Sequence, residues 1–289
     1  MSRIDVRVRF GTLVLALEGM RDLDQLLPLY EAHAAPPDEE NHAVITAVLD
    51  EAAGDDAVAR PGPIRWGHAV VGDELHVRGP QWTLEVSLSP RGPVRARFRE
   101  WDVRQVDQLL GCAVQVMAPL RVGALTLHGS SVERDGQGFA FIAPSETGKT
   151  TVALLSRELG HTVLAEELTY VGWPQDGGGP AVYSLPARER NDIRTTRRVS
   201  APLAGLYRLV QAREDVVEPI DRRRRVLELT ARAAVGVRAP VVMDAALRVV
   251  ERLNDAVELR RLRFSRSPRF WDAIDADRRR RGRFRSRGT

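Results

Sequence analysis

The sequence predicts an α/β protein in which a smaller α+β accessory domain, residues 1–118, precedes a larger α/β domain, residues 119–275. The first part alternates apolar and polar residues in short runs separated by turns, which is typical of strands in a meander. In the second part, short apolar runs are interleaved with helical patterns, which is typical of an α/β domain. We expect residues 276–289, which are rich in arginine, to form a disordered basic tail.

The accessory domain is predicted to contain strands, two short helices and one longer helix. Residues 4–10 and much of 12–17 alternate as strands do, and residues 23–30 and 43–52 are predicted as helices. The predicted strands of the meander cover 69–71, 75–77, 82–88 and 94–98. Asp102 is expected to cap a helix that runs to about Met117. These patterns do not indicate what the domain binds.

The larger domain contains a strand, a tight loop and a helix in direct succession. The apolar run from Phe139 to Ile142 leads into a turn of small residues, and a helical pattern follows from Val152. This order is that of a P-loop, whose backbone N–H groups and helix N-terminus bind phosphate groups. We therefore predict a nucleotide-binding loop made of Ala143, Pro144, Ser145, Glu146, Thr147, Gly148, Lys149, Thr150 and Thr151.

The composition of the chain supports this prediction. Lys149 is the only lysine, so arginine accounts for the other 42 of the 43 basic residues. The single ammonium group of the chain thus stands in the predicted phosphate-binding loop. A compact charge fits the backbone N–H groups of such a loop better than a planar guanidinium does.

A pair of carboxylates follows a later strand of the same domain. Residues 162–165 form a short apolar run that ends at Glu166 and Glu167, and residues 168–171 continue as another strand. His128 lies on a strand predicted over 124–132. Because loops at strand ends of an α/β sheet converge on one crevice, we expect the two acids to lie near the phosphate loop.

Together these residues resemble the kinase domain of HPr kinase/phosphorylase and, more distantly, the P-loop core of phosphoenolpyruvate carboxykinase. That family has His-Gly on a strand, then the P-loop, then Gly-His at the helix end, then a strand ending in Asp-Asp. The resemblance covers residues 125–171. The corresponding pairs and triplets here are His128-Gly129, Gly148-Lys149-Thr150, Gly160-His161 and Glu166-Glu167.

The resemblance implies an ATP- and Mg²⁺-dependent kinase that transfers the γ-phosphate to a hydroxyl, here Ser or Thr of a peptide or protein. It implies Thr150, Glu166 and Glu167 as metal-binding residues and Glu166, Glu167 and His128 as catalytic residues, with base and metal ligand unassigned between the two glutamates. His161 is expected to belong to the helix end. The arginine-rich C-terminal signature of a true HPr kinase is not found, so HPr itself is not the expected substrate.

Two departures from the family favour an alternative function. Ala143 and Glu146 replace residues that are often glycine, and two glutamates replace two aspartates. An extra methylene in the base displaces its carboxylate, and displacement by about 1 Å can cost on the order of a hundredfold in rate. The alternative is therefore a nucleotide-binding regulator or scaffold with degenerate catalysis.

Composition disfavours other classes, and an arginine-rich nucleic-acid binder, whose affinity would depend steeply on salt, is the third alternative. No stretch reaches the roughly 18 apolar residues of a membrane span, and no groove-reading motif accompanies the arginines, so nucleic acid is not an expected partner. With one cysteine, Cys112, and no signal-peptide pattern, we expect a cytoplasmic protein, and homo-oligomers are compatible with the family. A basic run of five arginines is a further candidate clamp for phosphate or an acidic peptide: Arg188, Arg190, Arg194, Arg197 and Arg198.

Overall fold

The computed structural model describes residues 4–20, 27–36, 39–54, 66–186 and 199–285. Over these ranges the chain is a mixed α/β protein with two β-sheets and six α-helices. Within the same ranges, no helix combines the length and the apolar character needed to cross a membrane. The run from Arg188 to Arg198 lies outside the described residues.

The first sheet contains seven strands and is backed by one long helix. In sheet order the strands are β1 (Ile4–Phe10), β2 (Leu13–Met20), β3 (Ala43–Leu49), β7 (Val94–Phe98), β6 (Trp82–Ser87), β5 (Glu74–Arg78) and β4 (Gly67–Val71). The short helix α1 spans Leu27–Ala32, and α2 spans Val103–Met117. Asp102 caps α2 as predicted, because its side chain accepts from the backbone N–H groups of Arg104 and Gln105.

The prediction of a helix over 43–52 is wrong. Residues 43–49 form β3, which lies parallel to both β2 and β7. Along β3, Ala43, Ile45 and Ala47 are buried, whereas the residues between them are exposed. This period of two, in a run rich in β-branched side chains, fits a strand better than a helix.

The second sheet contains eight strands and carries the loop of interest. Its strands are β8 (Leu125–Arg134), β9 (Gln137–Ile142), β10 (Thr162–Ala165), β11 (Leu168–Gly172), β12 (Ala181–Tyr183), β13 (Ser200–Gln211), β14 (Val216–Pro219) and β15 (Leu259–Phe264). The helices are α3 (Lys149–Glu158), α4 (Arg222–Arg232), α5 (Pro240–Ala256) and α6 (Phe270–Arg285). Strands β9, β13 and β15 are parallel neighbours, and β8 pairs antiparallel with β9, β10 and β11.

The expectation of a disordered tail from residue 276 is wrong as far as residue 285, because α6 continues through this segment. Asp277 is almost fully buried and pairs with Arg260 of β15 at 2.9 Å and with Arg281 at 3.1 Å. On the same helix, Phe270 and Ile274 lie in the apolar core. The buried face of α6 and these ion pairs offset the repulsion among the arginines.

Among the described residues, the second sheet and the turn that precedes it contact the first sheet through hydrogen bonds. In the turn between β1 and β2, Thr12 and the buried hydroxyl of Tyr170 form a hydrogen bond of 2.9 Å. Gly11 adopts φ 62°, and a Cβ there would lie 2.2 Å from the Tyr170 ring, so the turn requires glycine. Arg121, in a π-helical turn at Ala118–Val122, donates to three carbonyl oxygens of the first sheet's loops, those of His42, Ser87 and Gly92.

Candidate functional site

The loop of residues 143–148 connects β9 to α3, in the order of strand, loop and helix that the sequence predicts. Gly148 is the N-cap of α3 with φ 109°, and a Cβ there would lie 2.4 Å from Phe264, so this position requires glycine. Glu146 has φ 63°, which is unusual for a residue with a side chain. This left-handed backbone is the conformation that glycine adopts most readily, which explains why the position of Glu146 is often glycine. Its side chain is exposed to solvent.

Lys149 points back into the loop from the first turn of α3. It is only 7% exposed, and its Nζ donates to the carbonyl oxygens of Pro144 at 2.9 Å and Ala143 at 3.4 Å. Burial lowers the pKa of Lys149, the charge of Glu167 opposes this shift, and the charge of Arg232 adds to it. The ammonium group is therefore held at the centre of the loop with carboxylate charge nearby.

Pairing between β8 and β11 brings His128 next to the two glutamates. His128 is the partner of Leu168, and the N–H of Gly129 donates to the carbonyl oxygen of Glu167 at 2.9 Å. A Cβ on Gly129 would lie 2.6 Å from the carbonyl oxygen of Phe141, so glycine is needed after His128 for β8 and β9 to approach. Glu166 is 3% exposed, whereas Glu167 is exposed to solvent.

These side chains line one cavity of about 210 Å³, which is smaller than a typical site for a whole cofactor and suits a polyphosphate group with its cation. Five predicted residues belong to the loop or to the first turn of α3 but do not line the cavity: Ala143, Pro144, Thr147, Gly148 and Thr151. The lining residues are His128, Ser145, Glu146, Lys149, Thr150, Glu166 and Glu167.

The structure adds one cation that the sequence analysis did not single out. Residues 233 and 234, just after α4, lie beside β8: Ala233 bridges Leu127 in antiparallel fashion, and the N–H of Ala234 donates to the carbonyl oxygen of Thr126 at 2.8 Å. Arg232, the last residue of α4, therefore lies close enough to His128 for its charge to lower the pKa of that ring. Within the described residues Arg232 forms no ion pair, and its Nε is buried without a hydrogen-bond partner.

Arg232 also lies next to the start of the 143–148 loop. The N–H of Ala143 contacts the carbonyl oxygen of His128 at 3.4 Å. This contact lies on the edge of β8 that pairs with β9 and, next along the strand, with residues 233–234. The positive charge of Arg232 contributes to the lowered pKa of both Lys149 and His128. Lys149 and Arg232 thus place two positive charges beside the three carboxylates that line the cavity, those of Glu146, Glu166 and Glu167.

His161 belongs to the end of α3, as the sequence analysis expects. Gly160 ends the helix in a left-handed conformation, with φ 83°, and the N–H of His161 donates to the carbonyl oxygen of Ser156 at 3.0 Å. The ring of His161 packs against Trp271 with 5.3 Å between the ring centroids. It does not line the cavity.

The residues fit Mg²⁺ with phosphate better than a metal held by protein alone. In the described part of the chain, no group of three or more His, Cys, Asp or Glu side chains converges to hold a metal. The cavity offers the Thr150 hydroxyl and the carboxylates of Glu166 and Glu167, all of which are oxygen ligands. Mg²⁺ prefers such a set, with water and substrate phosphates completing its coordination.

The pH dependence of stability tests the environment of His128. Burial first, and then the charges of Lys149 and Arg232, lower its pKa below the ordinary 6.5, while Glu167 opposes the shift. As the pH falls, the unfolded chain therefore binds this proton before the folded chain does, so the stabilisation is present above pH 6.5 and is lost below it. We expect the free energy of unfolding, measured in urea at about pH 7.5 and about pH 5.5, to fall more in the wild type than in His128→Gln. Equal falls in the two proteins would contradict this.

A scan of the chain against protein-family models finds no matching family, and a search of the curated proteins finds no match.

Proposed function

We propose that this protein is an ATP- and Mg²⁺-dependent kinase of the HPr-kinase-like type that phosphorylates a Ser or Thr hydroxyl of a peptide or protein. The observation that carries the proposal is the convergence of Lys149, Thr150, His128 and the Glu166–Glu167 pair on one cavity. These residues come from α3, β8 and the segment between β10 and β11. They supply a cation, an oxygen ligand for metal and two carboxylates, which are the groups that phosphoryl transfer needs.

The 143–148 loop and α3 would bind the donor phosphates. The helix N-terminus at Gly148 directs backbone N–H groups towards bound anions. The Nζ of Lys149 already lies within 3.4 Å of two loop carbonyls and would exchange these bonds for phosphate oxygens. When bound, Mg²⁺ would neutralise charge on the β- and γ-phosphates, held by Thr150 and Glu166.

The different exposure of the two glutamates suggests different roles. Glu166 is buried beside the loop, where a carboxylate suits a bound cation, whereas Glu167 is open to solvent and so to an incoming acceptor. In the proposed reaction Glu167 accepts the proton of the acceptor hydroxyl. The acceptor oxygen forms a bond to the γ-phosphorus, the bond from that phosphorus to the bridging oxygen breaks, and ADP leaves with the electron pair.

Arg232 is proposed to bind the transferring phosphoryl group, since its charge acts on both His128 and Lys149 and its Nε is buried without a hydrogen-bond partner among the described residues. We expect Arg232→Gln to lower kcat by about a hundredfold or more and to change the Kd for Mg·ATP less, because charge on the transferred group is best matched in the transition state. Arg157→Gln is the matched control, since Arg157 is an exposed cation in the last turn of α3. A kcat like that of the wild type would exclude this role.

The second candidate is a nucleotide-binding regulator without transfer, and one observation favours it. Glu146, which lines the same cavity, adds a negative charge beside the proposed phosphate site. This candidate predicts nucleotide binding with no single-turnover transfer to any hydroxyl acceptor.

The proposal is tested by calorimetric titration of Mg·ATP into the protein, followed by analysis of the cell contents for ADP and phosphate. Binding with slow turnover supports a phosphoryl-transfer site and justifies a search for its acceptor. Failure to bind ATP, GTP or pyrophosphate would reject the proposal.

A further inference from the structure

The outward face of α4 has an unusual composition. Three residues spaced by four, Arg223, Leu227 and Ala231, are exposed along one side of the helix, which we call the α4 stripe. Leu227 is 69% exposed, the largest value among the bulky apolar side chains of the described residues. Leu229, on the opposite side, is fully buried in the core. Leu227 is therefore not needed to hold α4 on the domain.

The charges at the start of α4 oppose helix stability. Residues 222–225 are four arginines in the first turn, and the one acidic residue beside them is the N-cap, Asp221, whose side chain accepts from the backbone N–H of Arg224. The N-terminus of a helix carries partial positive charge and favours acidic side chains, so four cations there are unfavourable. Natural sequences accept such local conflicts mainly at functional sites.

Intramolecular pairing neutralises only part of this charge. Arg222 pairs with Asp255 at 2.5 Å and Arg224 with Glu228 at 3.9 Å. Arg223 is exposed and has no ion pair within the described residues. The α4 stripe thus presents the guanidinium of Arg223 and the exposed side chain of Leu227. The two residues are four positions, or about one helical turn, apart.

The stripe leads to the candidate site. The C-terminal end of α4 is fixed to β8 through Ala233 and Ala234, and the charge of Arg232 at that end acts on His128. Arg223 precedes Arg232 by nine residues, a helical length of about 13 Å. An extended peptide spans that length in about four residues at roughly 3.3 Å each.

We infer that the α4 stripe binds an acidic and apolar segment of the acceptor itself, with a carboxylate on Arg223 and an apolar side chain on Leu227. This inference rests on the proposed function, because it makes the acceptor hydroxyl the group delivered to Glu167. It specifies the acceptor class: a Ser or Thr with an apolar residue about two positions away and an Asp or Glu about four positions away. Charge complementarity with Arg223 selects an acidic segment over a basic or neutral one.

The test uses the whole protein and a fluorescein-labelled peptide, Gly-Asp-Ala-Leu-Ala-Ser-Ala-Leu-Ala-Asp-Gly, which reads alike in both chain directions. Its Kd is measured by fluorescence anisotropy and compared with that of the same peptide carrying lysine in place of both aspartates. We expect Arg223→Glu and Leu227→Asp each to weaken binding of the acidic peptide by about tenfold or more. We also expect Arg223→Glu to bind the lysine peptide more tightly than the wild type does.

The control is the pair Arg157→Glu and Leu159→Ser, which alters an exposed arginine and an exposed leucine at the far end of α3. These changes should leave the Kd unchanged. The inference would be overturned if the acidic peptide binds equally well after changes at Arg223 and Leu227. It would also be overturned if a protein that binds Mg·ATP does not bind this peptide. A 20-nucleotide single strand that binds through the same two residues and displaces the peptide would also overturn it, in favour of nucleic acid.

The two proposals fail separately. If only the docking inference is wrong, the protein still binds Mg·ATP, but its binding of the acidic peptide does not depend on Arg223 and Leu227. Conversely, if the protein binds no nucleotide but binds the peptide through Arg223 and Leu227, the docking inference stands and the kinase proposal is rejected.

Discussion

Replacing Lys149 with alanine is expected to weaken Mg·ATP binding by about a hundredfold or more without unfolding the protein. The ammonium is buried at the centre of the 143–148 loop, within 3.4 Å of two carbonyl oxygens that a phosphate would replace as partners. Hydrogen bonds to charged groups contribute about 1.5–3 kcal/mol each, so the loss of one or two corresponds to this factor. Calorimetric titration of Mg·ATP measures it, and thermal unfolding verifies the fold.

Two further variants make this test sharper. Arg157→Ala removes an exposed cation at the other end of α3 and should bind Mg·ATP as the wild type does. Lys149→Arg keeps the charge in a chain that otherwise uses arginine for all 42 of its remaining basic residues. We expect it to bind about as poorly as Lys149→Ala, because a planar guanidinium does not fit the buried loop. Wild-type affinity in Lys149→Arg would contradict the argument from composition, and wild-type affinity in Lys149→Ala would reject the phosphate site.

The local part of the site could be predicted from the sequence because its geometry depends on contiguous residues. The strand, the loop and the helix that carry Lys149 follow one another directly, and the left-handed backbone of Gly148 belongs to the same turn, although the clash that a Cβ would cause there is with Phe264 of β15. His128 and the two glutamates could be added because they stand at strand ends that were expected to converge and because they match the order of motifs in the family, although β9 and α3 separate β8 from β10 and β11. Their convergence on one cavity agrees with the expected crevice.

Arg232 could not be predicted, since its place depends on a contact between α4 and β8 that spans more than 100 residues of sequence. In a chain with 42 arginines, no local signal marks this one. The two errors have related causes. Residues 43–49 form a strand because they pair with β2 and β7. The basic segment after residue 276 is helical, and its Asp277 pairs with Arg260 of a different element. Periodicity and composition report local preference, which such contacts override.

Replacing Glu167 with glutamine is expected to lower the rate of phosphoryl transfer by about 10²- to 10⁴-fold, the usual contribution of a general base, while Mg·ATP binds with nearly unchanged affinity. Glutamine keeps the size of the side chain but cannot accept the hydroxyl proton. The carboxylate of Glu167 is exposed at the cavity, beside Lys149 and His128; burial lowers the pKa of both groups, and the charge of Glu167 opposes this shift. The measurement is single-turnover transfer to an acceptor peptide, with intrinsic ATP hydrolysis as a second readout.

Glu166→Gln is the matched variant, because Glu166 lines the same cavity but is buried. If Glu166 holds the cation, this variant should need more Mg²⁺ to reach half-maximal rate, whereas Glu167→Gln should remain slow at any Mg²⁺ concentration. The reverse pattern would exchange the two roles. Transfer that survives both substitutions would show that neither carboxylate takes part in the chemistry. A kinase that acts on a hydroxyl needs a group that accepts its proton. The nucleotide-binding regulator would then be the better description of the protein.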